Sequence, residues 1–295
     1  MNNTEWRQQF FEASAAKDRD KLHALRQGIF QDTVKLVKAD PKLLKVKPAQ
    51  LYASPPAAVS PPVRKILKTV VVEADCIEAA RLLLATGQKP VVLNMANRQK
   101  PGGGVLGGAG AQEENLFRRS NLFASLFPFE PGLAAQFGLP SHPTDRYPLD
   151  QQTGGCFSPE ITFFRSSETT GYSPAIAPAV FSVVSVPAIN RPDLVQVGRE
   201  FRIAPSMVEP TRQKIRTIFR ILIAHGYEVA VLSAFGCGAF RNPPGHVAEL
   251  FAEILEEKEF EGHFSTLVFA IIDDHNSGKD HNPEGNVWPF QRVFG

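Results

Sequence analysis

The 295-residue sequence has few cysteines, little net charge and no long apolar run. Its three cysteines, Cys76, Cys156 and Cys237, form no Cys-x-x-Cys pair, which argues against a disulfide framework and a cysteine-based zinc site. The formal net charge of +2 gives no extended basic surface, so we predict no direct, sequence-specific binding of nucleic acid. No apolar run is long enough to cross a bilayer. The first ten residues are polar and lack the apolar core of a secretory signal, so we expect an intracellular protein.

The composition is that of an ordinary globular protein, with 43% hydrophobic and 21% charged residues. An apolar stripe over residues 4–27 predicts a helix that ends at Gly28. Six prolines between Pro41 and Pro62 disfavour regular structure there. We therefore predict two parts: residues 1–62, an N-terminal helical extension with a proline-rich connector, and residues 63–295, the core domain. The aromatic residues of the extension favour its docking on the core.

From residue 63 onward, apolar runs that indicate strands alternate with helical patterns. The predicted strands span residues 69–72, 90–95, 161–165, 179–189, 228–235 and 266–272. The predicted helices span residues 77–85, 116–127, 210–226 and 243–257. This order indicates an α/β fold whose sheet carries helices on both faces. Residues 129–172 are rich in proline and glycine, and long irregular insertions of this kind are usually functional or disordered.

The segment from Asn94 to Arg119, NMANRQKPGGGVLGGAGAQEENLFRR, is the most informative stretch of the chain. It joins the end of a predicted strand to a glycine-rich loop and then to Glu113 and Glu114 at a predicted helix start. A second glycine loop, Gly236 to Phe240, also follows a predicted strand. Ligands bind beyond the carboxyl ends of strands in open α/β sheets, and glycine loops offer backbone N–H groups to a diphosphate.

Each of these motifs also has an interpretation that involves no such ligand. Either loop alone is explained as a tight strand-to-helix turn, and the pair favours an anion site. Gly102, Gly104 and Gly107 satisfy the GxGxxG dinucleotide pattern, but residues 96–101 separate them from the strand, which leaves a dehydrogenase as a weak alternative. Acidic residues are also common in a first helical turn because of the helix dipole. Glu113 and Glu114 would point about 100° apart on a helix, so only one can face a given bond.

Acidic and histidine residues near the end of the sequence, Asp273-Asp274-His275 with Asp280-His281, do not predict a metal site. They occupy a polar loop and lack the spacing of a ligand set. We therefore predict neither a metal nor another cofactor.

The segment PGGGVLGGAGAQEE, Pro101 to Glu114, resembles the signature of poly(ADP-ribose) glycohydrolases, in particular the microbial type. Three glycines, seven intervening residues and Gln-Glu-Glu carry the resemblance, and further similar segments extend it over residues 63–273. The resemblance implies a macrodomain-like, three-layer α/β/α fold with a mixed, largely parallel sheet, in addition to the helical extension. It also implies hydrolysis of the ribose–ribose O-glycosidic bonds of poly(ADP-ribose), including chains on ADP-ribosylated proteins, with release of ADP-ribose.

The resemblance also implies roles for individual residues. Glu114 would be the catalytic acid/base, and Glu113 would hydrogen-bond the ribose hydroxyl beside the scissile bond, with Gln112 next to them in the substrate site. The distal ribose would be enclosed by Gly102, Gly103 and Gly104. The diphosphate would be held by Gly236, Cys237, Gly238 and Ala239, with Phe240 packed on the substrate. Further contacts would come from Asn94 and Asn97 near the ribose and from Asp75 and Cys76 near the adenine.

Two positions depart from the family pattern as we expect it. Asp75-Cys76 stands where a threonine is expected near the cysteine, and Arg241 replaces a smaller residue after Phe240. The alternatives are a macrodomain that binds ADP-ribose without cleaving it, which should lack paired glutamates, and a hydrolase of single ADP-ribose groups. We expect a monomer that reverses ADP-ribosylation, as in a DNA damage response. The choice between chain-end and internal cleavage depends on whether a loop within residues 129–172 blocks the next ribose.

Overall fold

The structure is a computed structural model that describes residues 3–59, 63–198 and 200–295. The helices are α1 (Asn3–Ala15), α2 (Arg19–Ala39), α3 (Pro41–Leu44), α4 (Cys76–Ala85), α5 (Gln112–Arg119), α6 (Leu122–Leu126), α7 (Pro131–Gln136), α8 (Pro205–Ala224), α9 (Pro244–Leu255) and α10 (Val287–Phe294). The strands are β1 (Gln50–Tyr52), β2 (Lys68–Glu73), β3 (Val91–Met95), β4 (Gly155–Arg165), β5 (Pro174–Val186), β6 (Leu194–Val197), β7 (Glu200–Ile203), β8 (Val229–Leu232) and β9 (Thr266–Ile271).

Seven strands form a mixed sheet in the order β1-β4-β5-β3-β8-β9-β2. The pairs β3·β8, β8·β9 and β9·β2 are all parallel; helices α4 and α9 connect strands of this half, and α8 leads into β8. The predicted α/β architecture is confirmed. Strand β2 was predicted to be buried, but it is only partly buried, because it lies at the edge of the sheet. Strands β6 and β7 form a separate antiparallel pair that the sequence did not predict.

The chain divides into two compact units. Unit 1 comprises residues 1–50, 96–148 and 158–182, and unit 2 comprises residues 51–95, 149–157 and 183–295. The division that we predicted at residue 62 stays a prediction; the first change between the two units along the chain falls between residues 50 and 51. The first 50 residues belong with the glycine-rich segment, from which they are distant in sequence.

The N-terminal helices of unit 1 dock through aromatic side chains, as predicted. Trp6 stacks on Phe10 with ring centroids 5.0 Å apart, and it meets the edge of Tyr172 at 5.3 Å. Ile29 completes this buried cluster. The Trp6 Nε1–H donates to the carbonyl of Leu25 at 3.1 Å, so the polar end of this buried ring has a partner.

The predicted end of the first helix at Gly28 is wrong. A break at residues 16–18 separates α1 from α2, and Asp18 caps α2 by accepting from the Lys21 N–H. Helix α2 then continues through Gly28 to Ala39. A glycine inside a helix costs about 1 kcal/mol relative to alanine, and the burial of Ile29 and Phe30 directly after it outweighs that cost.

The proline-rich connector contains regular structure, contrary to our expectation. Asp40 accepts from the Lys42 N–H and Pro41 occupies the first helical position, so the short helix α3 forms there. Strand β1 follows and joins the sheet at one edge. The last three residues of the predicted connector, 60–62, lie outside the described residues.

The predicted helix over residues 116–127 is two helices. Ser120 adopts an extended backbone between α5 and α6 and forms a bridge to Phe163. Asn121 stabilises this break, because its Oδ1 accepts from the Thr162 N–H and its Nδ2 donates to the Leu43 carbonyl. Local apolar spacing does not reveal such contacts, which involve distant segments.

Unit 2 is organised around an apolar core built from β3, β8, β9, α8 and α9. Helix α8 begins at Pro205, five residues before the predicted start, and contains Pro210 within it. Helix α10 was not predicted, and its Phe290 is fully buried in this core. Within the described ranges, no helix has the length and apolarity needed to span a membrane.

Candidate active site

The two glutamates predicted to be catalytic lie in the first turn of α5, in unit 1. Glu113 is 3% exposed and Glu114 is 6% exposed, which is rare for carboxylates without a function or a partner. Gln112, the first residue of the helix, is half-buried. Basic residues follow in the last turn of α5, which complements the helix dipole.

Both oxygens of Glu113 accept hydrogen bonds from the backbone. The Asn97 N–H donates to Oε2 at 2.7 Å, and the Gly102 N–H donates to Oε1 at 3.1 Å. The side-chain oxygen of Asn97 accepts from the N–H groups of Gln99 and Lys100, which fixes the turn that presents its own N–H. The carboxylate of Glu113 is therefore held at two points by the glycine-rich segment.

The oxygens of Glu114 differ in their environments. Oε1 accepts from the Gly104 N–H at 2.8 Å. Oε2 is buried and has no hydrogen-bond partner within the described residues. A buried polar atom without a partner costs about 1–3 kcal/mol, so native proteins contain few of them. Oε2 is thus the one carboxylate oxygen of Glu113 and Glu114 without a hydrogen-bond partner among the described residues.

Glycine is required at position 103 because of both backbone conformation and space. Gly103 has a φ of 50°, in the left-handed region, and a Cβ there would lie 2.6 Å from Glu114 Oε1 and 3.0 Å from Glu113 Oε2. Its neighbours are also confined, with a Cβ on Gly102 lying 2.9 Å from the ring of Phe117. The predicted grouping of Asn97, the three glycines and the two glutamates is thus observed in unit 1.

The second glycine loop belongs to unit 2 and follows β8. The Asn242 side-chain amide donates to the carbonyls of Ile189 at 2.8 Å and Gly236 at 3.0 Å, and its backbone N–H also donates to Gly236. Gly236 has a φ of 77°, and a Cβ there would lie 2.6 Å from this amide. Asn242 therefore closes the loop. The sequence reasoning missed this residue, although an asparagine before Pro243 is a turn signal.

Several N–H groups of this loop are available to a ligand. In the described part of the chain, the N–H groups of Gly236, Gly238, Ala239 and Phe240 have no acceptor. Successive free N–H groups beyond the end of a strand form an anion-binding concavity. A Cβ on Gly238 would lie 3.1 Å from Asp274 Oδ2, so the loop approaches that carboxylate closely. Arg241 lies exposed at the end of the loop.

Cys237 does not have the environment of a nucleophile. Its side chain is fully buried, and burial, with a smaller contribution from Asp274, raises the pKa of the thiol well above its usual value. The thiolate, which is the reactive form, is therefore disfavoured. Its backbone N–H donates to the Ala234 carbonyl, so Cys237 contributes to the turn rather than to the set of free N–H groups.

The remaining predicted contact residues also lie in unit 2. Asn94 is fully buried and its Nδ2 donates to Ser185 Oγ at 3.0 Å, which ties β3 to the neighbouring strand β5. Asp75 caps α4 by accepting from the N–H groups of Ile77 and Glu78. Cys76 is buried as the first residue of that helix. The structure therefore gives Asn94 a contact between strands and Asp75 a helix cap.

Two of the acidic residues that were considered as metal ligands accept hydrogen bonds from nearby groups instead. The Asp273 carboxylate accepts from the N–H groups of Asn286 and Val287, at the start of α10. Asp274 accepts from the backbone and side chain of Asn276. Among the residues placed by the structure, no group of three or more His, Cys, Asp or Glu side chains has a metal-binding arrangement.

A family model described as "Microbial-type PARG, catalytic domain" matches residues 19–166, about half of the chain. This chain belongs to that family. It is therefore a poly(ADP-ribose) glycohydrolase (PARG) of the microbial type, and hence a glycosidase, as the sequence predicted. The match begins at the first residue of α2, so it includes a helix that we had assigned to the extension.

Solved PARG structures extend the similarity over nearly the whole chain. The PARG of Thermomonospora curvata bound to the inhibitor ADP-HPD is 25% identical, covers 91% of this chain and 99% of its own, and superposes with a TM-score of 0.68. The PARG of Deinococcus radiodurans in complex with ADP-ribose is 26% identical, covers 77% and 84% respectively, and gives a TM-score of 0.58. The predicted macrodomain-like fold is confirmed. No curated protein sequence matches this chain.

Proposed function

We propose that Glu114 is the general acid/base with which this PARG cleaves the ribose–ribose bond of poly(ADP-ribose). The observation that carries the proposal is the buried Oε2 of Glu114, which no described residue contacts by hydrogen bonding. Because Oε1 is fixed by the Gly104 N–H, the carboxyl group has a defined orientation and one oxygen free for the substrate.

In the proposed mechanism, the proton on Glu114 Oε2 passes to the ribose oxygen that leaves, and the glycosidic C–O bond breaks. Positive charge develops at the anomeric carbon, as in other glycoside hydrolyses. Glu114, now a carboxylate, takes a proton from the water that attacks this carbon. Cleavage of the terminal bond gives ADP-ribose and a chain shortened by one unit, whereas cleavage of an internal bond gives two shorter chains. General acid/base catalysis of this kind contributes about 10²–10⁴-fold to the rate.

Glu113 is proposed to orient the substrate rather than to transfer the proton. A carboxylate has about four lone-pair positions, so Glu113 can accept from a ribose hydroxyl while it retains the bonds from Asn97 and Gly102. Its fixed position makes it a suitable template for the ribose beside the scissile bond.

The loop from Gly236 to Phe240 is proposed to bind the diphosphate. Its free N–H groups satisfy an anion without a basic surface, which agrees with a net charge of only +2. Phe240 is half-buried at the end of the loop and is proposed to pack on the substrate. ADP-ribose, which the D. radiodurans relative binds, is the expected product and ligand.

The test compares the wild-type protein with Glu114→Gln on poly(ADP-ribosyl)ated protein, following free ADP-ribose, and measures ADP-ribose affinity by calorimetry. We expect the variant to retain ADP-ribose binding and to lose at least about 10²-fold in kcat. Full activity of Glu114→Gln would refute the proposed role. A wild-type protein that binds ADP-ribose but releases none from the polymer would be a binding module instead.

We further propose that the protein acts as a monomer inside the cell and reverses ADP-ribosylation after DNA damage. Light scattering of the purified protein tests the first statement, with a mass of twice 32.4 kDa as the contradicting result. Deletion of the gene followed by measurement of poly(ADP-ribose) after irradiation tests the second.

A further inference from the structure

One face of α2 packs against the segment Leu106–Gly110, which connects the three glycines to the glutamates. Gln27 Nε2 donates to the Leu106 carbonyl at 3.0 Å. A Cβ on Gly108 would overlap the backbone of His23, so helix and loop are in direct contact there. Both elements belong to unit 1. The conformation of the loop therefore depends on α2.

Arg26 is the charged residue of α2 at this contact. Its side chain is 15% exposed and binds Glu168 through two bonds of 2.8 Å, Nε to Oε2 and Nη2 to Oε1. The guanidinium lies against Gly110, where a Cβ would be only 2.6 Å from Cζ. This two-point pairing fixes the plane of the guanidinium, which a lysine could not reproduce.

The ion pair continues into a buried network that reaches the loop a second time. Tyr172 donates its hydroxyl hydrogen to Glu168 at 3.0 Å and accepts from Arg118 Nε at 2.8 Å. Arg118 in turn donates through Nη1 to the Ala109 carbonyl at 2.7 Å. Residues 109 and 110 are thus held by two arginines that share one hydrogen-bonded chain.

The fixed loop leads directly to the catalytic carboxyl group. The Ala109 N–H donates to the Gly104 carbonyl at 3.2 Å, and the Gly104 N–H donates to Glu114 Oε1 at 2.8 Å. A shift of residues 109–110 therefore moves the donor that orients Glu114. The charge of Arg26 is also close enough for Glu114 to act on it: burial opposes that charge, but Glu168 and, less strongly, Tyr172 and Glu114 raise the pKa of the guanidinium.

We propose that Arg26 is a positioning residue of the glycosidase: held by Glu168, its guanidinium supports residues 109–110, so that the Gly104 N–H holds Glu114 in its reactive orientation. The inference rests on the proposed role of Glu114. It assigns a catalytic contribution to the N-terminal helices, which the sequence pattern placed in an extension outside the catalytic domain. Arg26 acts through the loop and not on the substrate.

The experiment measures kcat and KM for ADP-ribose release by Arg26→Ala, with Arg19→Ala, an exposed arginine at the start of the same helix, as the matched control. Misplacing a catalytic group by about 1 Å can cost about 10²-fold, so we expect kcat to fall by about 10- to 100-fold. KM and the calorimetric Kd for ADP-ribose should stay within about twofold, because the site for the product is unchanged. The control should keep wild-type values.

Two further measurements separate positioning from a general loss of structure. Guanidinium ion at millimolar concentration should restore part of the kcat of Arg26→Ala, because it can occupy the space between Glu168 and Gly110. Gly110→Ala, which places a methyl group against the guanidinium, should lower kcat in the wild-type background. The same substitution should have a smaller effect on Arg26→Ala, since the collision is then absent.

Three results would overturn the inference. The first is a wild-type kcat for Arg26→Ala. The second is a raised KM at unchanged kcat, which would make Arg26 a substrate-binding residue. The third is a loss of activity that follows the fraction of unfolded protein and is not rescued by guanidinium. Glu114→Gln, measured in parallel, tests separately the proposal that Glu114 is the general acid/base. If that variant is active, this proposal is refuted whatever the result for Arg26→Ala.

Discussion

Substitution of Gly103 by alanine is the most informative single perturbation of the site, because the new methyl group would meet both catalytic-site carboxylates. Its Cβ would lie 2.6 Å from Glu114 Oε1, whereas ordinary contacts begin near 3.4 Å. The carboxyl group of Glu114 would therefore have to move by about 0.8 Å, since the backbone of the loop is confined. Such a movement disrupts the 2.8 Å bond from the Gly104 N–H.

Displacement of a catalytic group by about 1 Å costs about 10²-fold in rate, so we expect kcat to fall by about that factor in Gly103→Ala. The φ of 50° adds about 1–2 kcal/mol of backbone strain for a residue with a Cβ. Release of ADP-ribose from poly(ADP-ribosyl)ated protein measures the first effect, and denaturant unfolding measures the second. Loss of activity should greatly exceed loss of folded protein.

Gly107→Ala is the matched control, because a Cβ at Gly107 would have no heavy atom within 4 Å, and its φ is not in the left-handed region. It should retain kcat within about twofold and unfold at a similar denaturant concentration. If Gly103→Ala also retains kcat within about twofold, the carboxylates are not held as we describe, and the predicted dependence of activity on this geometry fails.

Three further predictions concern loop closure, helix docking and pH. Asn242→Ala should raise KM and cost about 1–3 kcal/mol in denaturant unfolding, since the carbonyls of Ile189 and Gly236 lose the side-chain donor that closes the loop. Gly108→Ala should destabilise the fold more than Gly138→Ala, because both have positive φ but only the first would overlap His23; thermal unfolding of the two variants tests this. Burial lowers the pKa of His246 to about 4, whereas the unfolded chain binds this proton near pH 6.5. The contribution of the buried neutral imidazole to the unfolding free energy is therefore complete above about pH 6.5 and is lost as the pH falls toward 4. His246→Gln should weaken that pH dependence of the unfolding free energy, and an unchanged dependence would contradict it.

The part of the fold in which strands and helices alternate along the chain was predictable from the sequence. Strands β3, β8 and β9 and helices α4 and α9 were predicted within a few residues of their observed ends, because each has a strong apolar pattern and all but β9 have glycine or proline near a boundary. The fold family followed from the Gly-Gly-Gly to Gln-Glu-Glu spacing rather than from periodicity.

Two of the errors share a physical cause, which is contact between segments distant in sequence. Gly28 was taken as a helix end, but the buried residues after it carry α2 onward. Ser120 interrupts an apolar pattern that continues on both sides, because its backbone pairs with Phe163. No local signal indicates either contact.

The site shows the same division between local and distant information. The grouping of Glu113 and Glu114 with the three glycines could be predicted, because all lie within a short segment of the chain. The contact between Arg26 and Gly110 joins residues that are far apart in sequence, and neither residue has a neighbour that marks it. The apolar patterns that predict strands and helices do not show which distant residues, such as Arg26 and Gly110, come into contact.

The proposed donation of a proton by Glu114 can be tested with a substrate whose leaving group does not need to be protonated. ADP-ribose carrying 4-nitrophenol at the anomeric carbon has a leaving group that departs without protonation, whereas a ribose hydroxyl does not. The measurement is the ratio of wild-type to Glu114→Gln kcat on this substrate and on poly(ADP-ribose). If Glu114 is the general acid, the ratio should be about 10²–10⁴ on the polymer and at least tenfold smaller on the nitrophenyl substrate. Equal ratios on the two substrates would contradict proton donation by Glu114 to the leaving oxygen.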